Sequence, residues 1–362
     1  VTDTRIDRQS AFTGTRPVTA ALAFDVDALV RYLQGAVPGF QGPATASQFK
    51  GGQSNPTYLI EAASGSYVLR RRPPGKLLPS AHAIEREYRV LSALGKVGFP
   101  VPRVHVLVED TSIVGTGFYL MDKVEGRISW EPHMPGTDPA ERTAVYDAMG
   151  ATLATLHGFE PTALGLADFG RGEGYVARQV QRWSTQYVAS RTAEIPAMDR
   201  LMRWLPENLP PPQSTRIVHG DFRLDNLIIA PHAPTVRAVL DWELATLGDP
   251  VADFTYHLMQ WAMPPSQSGG GTGSLIGHDL VTLGIPSITA YVSAYEARTG
   301  LEVHRHLERY LAYNFFRLAA ILQGIAGRVR DGTATNENAP AMAGMVEPLA
   351  DTAWRFARQS AG

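Results

Sequence analysis

The stretch whose reading decides the fold is Ile217 to Asp241, IVHGDFRLDNLIIAPHAPTVRAVLD. Ile217 and Val218 lead into His219-Gly220-Asp221, and four residues separate Asp221 from Asn226. Leu227, Ile228 and Ile229 make a short apolar run, a turn with Pro231 and Pro234 follows, and Val236 to Leu240 return the chain to Asp241. Short apolar runs bounded by turn residues read as strands, and two joined this way read as a hairpin-like pair. The ends of that pair are expected to bring Asp221, Asn226 and Asp241 to one side.

Those three side chains suit magnesium-dependent phosphoryl transfer. Asp221 can orient or accept the proton of an attacking hydroxyl, while Asn226 and Asp241 offer hard oxygen ligands to metal ions on nucleotide phosphates. HGD-x4-N followed by LDWELATLGDPVAD resembles the aminoglycoside phosphotransferase family, the small-molecule branch of the kinase-like fold. Gly220 stands where protein kinases usually carry Arg, which favours that branch. The resemblance implies an α+β, bilobal protein-kinase-like fold. A small antiparallel-sheet lobe with one helix would bind the nucleotide over residues 1–122, of which 1–24 would be a polar, flexible lead or an extra helix. A larger, mostly helical lobe over residues 123–362 would carry the catalytic loop and the acceptor site. ATP and Mg2+ are the implied cofactors, with Asn226 and Asp241 as metal ligands.

Upstream, Asp25 suits the cap of a short helix through Leu33. Pro43 to Lys50, Pro56 to Ala62 and Ser66 to Arg70 read as strands. Gly51-Gly52-Gln53-Ser54-Asn55 joins the first two as a hairpin that would cover phosphates with backbone N–H groups. A helix is expected from Ser80 to Leu94, with Ile84, Tyr88, Leu91 and Leu94 as its apolar stripe and Gly95 as its stop. Glu87 falls on that stripe, and a buried carboxylate needs a cationic partner. By strand alternation Val68 and Arg70 share a face. Val68 would roof the adenine, and Arg70 would reach the phosphates and Glu87. In the family this place belongs to a lysine, but residues 51–75 contain none. Arginine keeps the charge and grips phosphate through two nitrogens, yet is bulkier. Arg71 or Arg72 would serve instead if the register slips by one.

Val104 to Glu109 and Phe118 to Val124 read as a strand pair. The second, FYLMDKVEG, resembles the hinge between lobes, where backbone groups of Met121, Asp122 and Lys123 would read the adenine edge. Asp138-Pro139 and Asp249-Pro250 start helices. Asp253, on the latter, is expected to pin the catalytic-loop backbone. His157 reads as structural. Asp168-Phe169-Gly170 copies a kinase magnesium triplet but precedes the catalytic loop, so it reads as a turn. Helices are further expected from about 174, and over 275–299, 303–329 and 338–358. Ser266 to Ser274 reads as a loop. His304 and His306, two residues apart, do not face one metal site on a helix.

The 362-residue length suits two lobes, and a net charge of −2 gives no sign of a nucleic-acid partner. There is no cysteine, which fits a reducing cytosol, and no leader pattern or apolar run of membrane length is expected. The partner implied is a small-molecule hydroxyl acceptor. Residues 263–362 hold eight acidic residues, eight Arg and no Lys, a balance not built for a polycation. FKGGQSNPTYLI, YVLRRRPPGKLLPSAHAIEREYRVL and HGDFRLDNLI resemble the kinase-like domain fused to some acyl-CoA dehydrogenases. For that subgroup the implied acceptor is a hydroxyacyl-CoA, with Arg71, Arg72 and Lys76 as candidates for CoA phosphates. Other small alcohols, aminoglycosides among them, and a non-catalytic nucleotide-binding module are the alternatives.

Overall fold

The computed structural model describes residues 8–51, 55–75, 83–265, 273–334 and 338–360. Its first lobe is an antiparallel sheet of β1 (Thr15–Arg16), β2 (Ala44–Phe49), β3 (Thr57–Ala62), β4 (Gly65–Arg71), β5 (Val104–Val108) and β6 (Phe118–Asp122), ordered β1-β2-β3-β4-β6-β5. Three helices attend it: α1 (Arg8–Phe12), α2 (Val26–Ala36) and α3 (Ile84–Lys96). Alternation along the strands gives the sheet two apolar faces. Tyr58, Ile60, Leu69, Phe118 and Leu120 pack with Leu29 and Leu33 of α2. Val68, Tyr119 and Met121 belong to the other core, shared with α3 and the second lobe. Asp25 caps α2 by accepting the Ala28 N–H at 2.9 Å.

The alternation also decides among the arginines. Arg70 lies with Val68 on the α3 side, whereas Arg71 points with Leu69 to the α2 side. There Arg71 is buried and donates to Tyr58 Oη (3.2 Å), Leu22 O (2.7 Å) and Val114 O (2.5 Å). It cannot replace Arg70 or meet CoA phosphates. Arg72 pairs with Glu85 at 2.6 Å, and Lys76 lies outside the described residues.

The second lobe holds α4 (Pro139–Gly158), α5 (Tyr175–Ser190), α6 (Pro196–Glu207), α7 (Pro250–Leu258), α8 (Leu280–Leu283), α9 (Ile288–Thr299), α10 (Leu307–Arg330), α11 (Ala339–Ala343) and α12 (Val346–Gln359). α10 is its spine, burying Tyr310, Phe315, Phe316 and Ala320 among α5, α7, α11 and α12. Two short ribbons cross the lobe: β7 (Arg216–Val218) pairs with β10 (Thr246–Gly248), and β8 (Leu227–Ile229) pairs with β9 (Val236–Val239). The second is the hairpin expected from the opening stretch.

Several boundaries differ from the sequence reading. Of the two forms expected for the lead, the helix occurs, as α1, and β1 then joins the sheet edge. Helix α3 runs past Gly95 to Lys96, and the turn is made by Gly98 at φ +76°. The start expected at Ser80 lies outside the described residues. The helix expected over 275–299 is two, because Gly284 at φ +74° caps α8. The one expected over 338–358 is likewise split, at Gly344 between α11 and α12. The sequence reading missed α6. Among the described residues no helix is long and apolar enough to cross a membrane.

Candidate active site

Strand β7 buries Ile217 and Val218 and delivers the chain to His219. Here the backbone turns on Gly220, at φ +84°, where an added Cβ would lie 2.9 Å from Leu244 O. Neither that conformation nor that space admits a side chain readily. Asp253, on the first turn of α7, accepts the His219 N–H at 2.7 Å and the Gly220 N–H at 2.8 Å. It therefore pins the loop as expected. Burial raises the Asp253 carboxyl, but hydrogen bonding and charge from His157 and His219 outweigh it and hold the group below its usual range. His157 contacts Asp253 at 3.2 Å and Tyr295 Oη at 2.6 Å, which makes it structural. His219 donates from Nε2 to Leu240 O at 2.8 Å and accepts the Asp221 N–H on Nδ1 at 3.2 Å. It ties the loop to the end of β9.

Asp221 and Asn226 meet directly. The Asn226 amide donates to Asp221 O at 2.9 Å and to Asp221 Oδ2 at 3.2 Å. Tyr256 Oη donates to Asp221 Oδ1 at 2.8 Å, and Arg223 Nε pairs with the same oxygen at 3.0 Å. Asp241 follows β9, whose preceding Leu240 N–H bonds Asn226 O at 2.8 Å. Its backbone is left-handed, at φ +64°, a region that Asp tolerates better than most residues. Asn226 and Asp241 both line a cavity of about 460 Å³ between the lobes. Asp221 is not among the lining residues; it stands behind Asn226, hydrogen-bonded to it.

Val68 and Met121 line the same cavity on the sheet side, with Ile228 on the other. Arg70 also lines it, but reaches across to the second lobe: Nη2 lies 2.6 Å from Asp241 Oδ1, and Nε 2.8 Å from Glu87 Oε2. Burial opposes its charge, yet Glu87 and Asp241 raise its pKa and keep it protonated. Glu87 is buried on α3 and also accepts from Tyr119 Oη at 3.1 Å and Asn55 Nδ2 at 2.8 Å. Asn55 thus differs from expectation. Its side chain is buried and supports Glu87 instead of facing the cavity. Gly51 lines the cavity, hard against Trp130, while Gly52 and Ser54 lie outside the described residues.

The three residues expected at the hinge, Met121, Asp122 and Lys123, all reach the cavity, but the Asp122 N–H already bonds Arg103 O at 2.8 Å and the Lys123 N–H bonds Ser66 O at 3.4 Å. Val124, the next cavity residue, keeps an N–H with no partner among the described residues. Asp168 to Gly170 is a turn away from the cavity: Asp168 pairs with Arg89, and Arg86 lies 4.3 Å from the centre of the buried Phe169 ring. His304 pairs with Glu296, and no cluster of metal-binding side chains occurs among the described residues.

The sequence reading passed over four residues here. Arg223 sat inside the quoted loop, two places after Asp221, where its type alone was a signal. Asp225 was equally visible as a carboxylate in that loop. Tyr256 and Arg317 were not, because they approach from α7 and α10; Arg317 donates to Gly220 O at 3.0 Å.

A strand-rich lobe over a helical lobe, with an Asp-Asn-Asp set at their junction, is the kinase-like architecture. Within it the chain belongs to the phosphotransferase enzyme family, whose profile matches residues 45–284. It is 46% identical over 344 residues to acyl-CoA dehydrogenase family member 10 of Mus musculus, covering 95% of this chain and 32% of that protein. Family member 11 of Rattus norvegicus is 41% identical, over 93% of this chain and 44% of its own length. The chain therefore spans less than half the length of these relatives. A solved structure from Ralstonia eutropha JMP134, provisionally described as an aminoglycoside phosphotransferase, is 44% identical with a TM-score of 0.83, covering 93% of this chain and 99% of that one.

Proposed function

We propose that this chain transfers the γ-phosphoryl group of ATP to a hydroxyl of a small molecule, with Mg2+. The observation that carries this reading is the cavity itself: Asn226 and Asp241 face into it, and Asp221 is hydrogen-bonded to the first of them. ATP would lie between a nucleotide lobe of residues 1–122 and an acceptor lobe of residues 123–362. Val68 would cover the adenine, and the loop from Gly51 would cover the phosphates. The hard oxygens of Asn226 and Asp241 fit Mg2+, which when bound neutralises phosphate charge. Arg70, set by Glu87, would turn from Asp241 toward the phosphates.

Asp221 would hold the acceptor hydroxyl in line. The hydroxyl oxygen bonds to the γ-phosphorus as the bond to the β–γ bridging oxygen breaks. ADP leaves with that electron pair, and the hydroxyl proton passes to Asp221. Tyr256, Arg223 and Asn226 all donate to Asp221 and fix its carboxylate, so it orients the hydroxyl before taking its proton, and positioning supplies most of the rate. Asp221→Ala should leave Mg-ATP binding nearly intact and lower acceptor-stimulated ADP release by at least about 100-fold. Activity equal to wild type ends the mechanism. Asp241→Ala should instead weaken magnesium-dependent nucleotide binding.

For the acceptor we propose a hydroxyacyl-CoA, phosphorylated so that its hydroxyl can leave. The support is the naming of the relatives and the balanced charge of residues 263–362. A screen of hydroxyacyl-CoAs, sugars, amino alcohols and aminoglycosides for ADP release tests it, and stimulation by another class alone overturns it. One observation favours a second reading, a non-catalytic nucleotide-binding module: the cation at the lysine place is an arginine already paired to Asp241. That module would bind Mg-ATP and turn over no acceptor.

A further inference from the structure

The segment from Arg8 to Arg16 lies across the mouth of the cleft. Gln9, Phe12, Thr13 and Gly14 all line the nucleotide cavity. On one side the segment joins the sheet: Thr15 pairs with Phe49, and the Lys50 N–H bonds Gly14 O at 3.1 Å, at the entrance to the loop from Gly51. On the other it grips the second lobe. Gln9 donates to Ile128 O at 3.0 Å and accepts the Trp130 N–H at 3.3 Å. The Phe12 and Trp130 rings lie 5.0 Å apart, and Arg8 donates to Trp130 O at 2.5 Å.

Arg8 reaches further. Its Nη2 lies 3.5 Å from Asp225 Oδ2, and the same oxygen lies 3.5 Å from Arg223 Nη1. Arg223 in turn pairs with Asp221 at 3.0 Å. All four side chains are largely buried, at 7%, 6%, 18% and 19% exposure in that order from Arg8. Two cations and two carboxylates thus alternate from the strap to Asp221. A buried carboxylate with half its counter-charge removed draws harder on what remains. Without Arg8, Asp225 would pull Arg223 away from Asp221.

We propose that this strap belongs to the phosphotransfer site. Phe12 and Gln9 close the cleft over the nucleotide, and Arg8 is a positioning residue that sets Asp221 through Asp225 and Arg223. The inference rests on the function proposed above. It assigns a role to a segment outside the 45–284 match to the family.

The test uses the full chain, Mg-ATP as ligand, and ADP release with water in place of the acceptor. Phe12→Ala should weaken Mg-ATP binding about fivefold to tenfold by calorimetry. Arg8→Ala should lower kcat about tenfold with KM for Mg-ATP changed less than about threefold, and Arg8→Lys should recover part of the loss. In an Asp225→Asn background, which breaks the link from Arg8 to Arg223 and leaves Arg8 only Glu131 at 3.7 Å, removing Arg8 should cost under about twofold. An equal tenfold loss in both backgrounds overturns the charge chain. Wild-type values in both Arg8→Ala and Phe12→Ala overturn the whole inference. If Arg8→Ala does not fold, Arg8→Gln takes its place in the same cycle. A wild-type chain that binds no Mg-ATP fails the function reading and this inference together. A wild type that binds and releases ADP, matched by its variants, fails this inference alone.

Discussion

At the scale of single residues, the site depends on two unusual backbone positions and one buried ion pair. Gly220 holds the bend before Asp221, and Asp241 holds its own left-handed turn. Gly220→Ala would place a Cβ against Leu244 O in a conformation that already costs an alanine about 1–2 kcal/mol. Urea unfolding should show a loss of about 1–3 kcal/mol. Turnover should fall further than this implies, since the displaced neighbour is Asp221. Unchanged stability would mean the loop relaxes around the methyl group. Arg70 and Glu87 were readable in advance because strand alternation and helix periodicity each put one charge on an apolar face. That Arg70 also reaches Asp241 was not readable, because 171 positions separate them.

At the scale of elements, α7 is the part that positions the catalytic loop. Its cap, Asp249, accepts the Val251 N–H at 2.9 Å and the Ala252 N–H at 3.3 Å, and Tyr310 Oη donates to its other oxygen at 2.7 Å. Asp249→Ala should cost about 2–4 kcal/mol, the sum of a lost cap and a buried hydroxyl left without a partner. Because α7 carries Asp253, ADP release should fall in parallel, and calorimetric unfolding alongside kinetics checks both. A variant that loses activity with no loss of stability would place Asp249 in the chemistry instead. Caps such as Asp25, Asp138 and Asp249 are local signals, and helix starts were legible from them. Helix ends were less so. They turned on which glycine took a positive φ, Gly98 and not Gly95, and that choice follows from where the chain must go next.

At the scale of the whole molecule, a histidine buried in the core of the second lobe shapes the response to acid. His257 on α7 is fully buried against Tyr291, Phe222 and Trp261, and burial pushes its pKa down to about 4 against the opposing charge of Asp253. In the unfolded chain a histidine titrates near about 6.5. Between pH 6.5 and pH 4 the unfolded state therefore binds the extra proton, and stability rises with pH across that window. Asp225 and Asp249 are raised by burial and pull the other way, so the histidine's share is a difference between proteins. Relative to wild type, His257→Phe should flatten the loss of unfolding free energy on acidification from pH 6.5 to 4, by on the order of 3 kcal/mol. Parallel pH profiles for the two proteins would mean that His257 is protonated in the fold.

The loop from Asp221 to Asn226, its hairpin and the two-lobed class were determined by the sequence itself. They rest on contacts a few residues apart, where spacing, strand alternation and turn residues act directly. The tertiary structure decided what those contacts could not. It covered one sheet face with α2, which sent Arg71 into the core and left Arg70 to the cleft. It bonded the Asp122 and Lys123 N–H groups to Arg103 O and Ser66 O and left the Val124 N–H with no partner among the described residues. It also folded the polar lead over the cleft through partners as distant as Asp225, 217 positions away. No local pattern announces such a segment, because its apolar and charged partners exist only once both lobes are assembled.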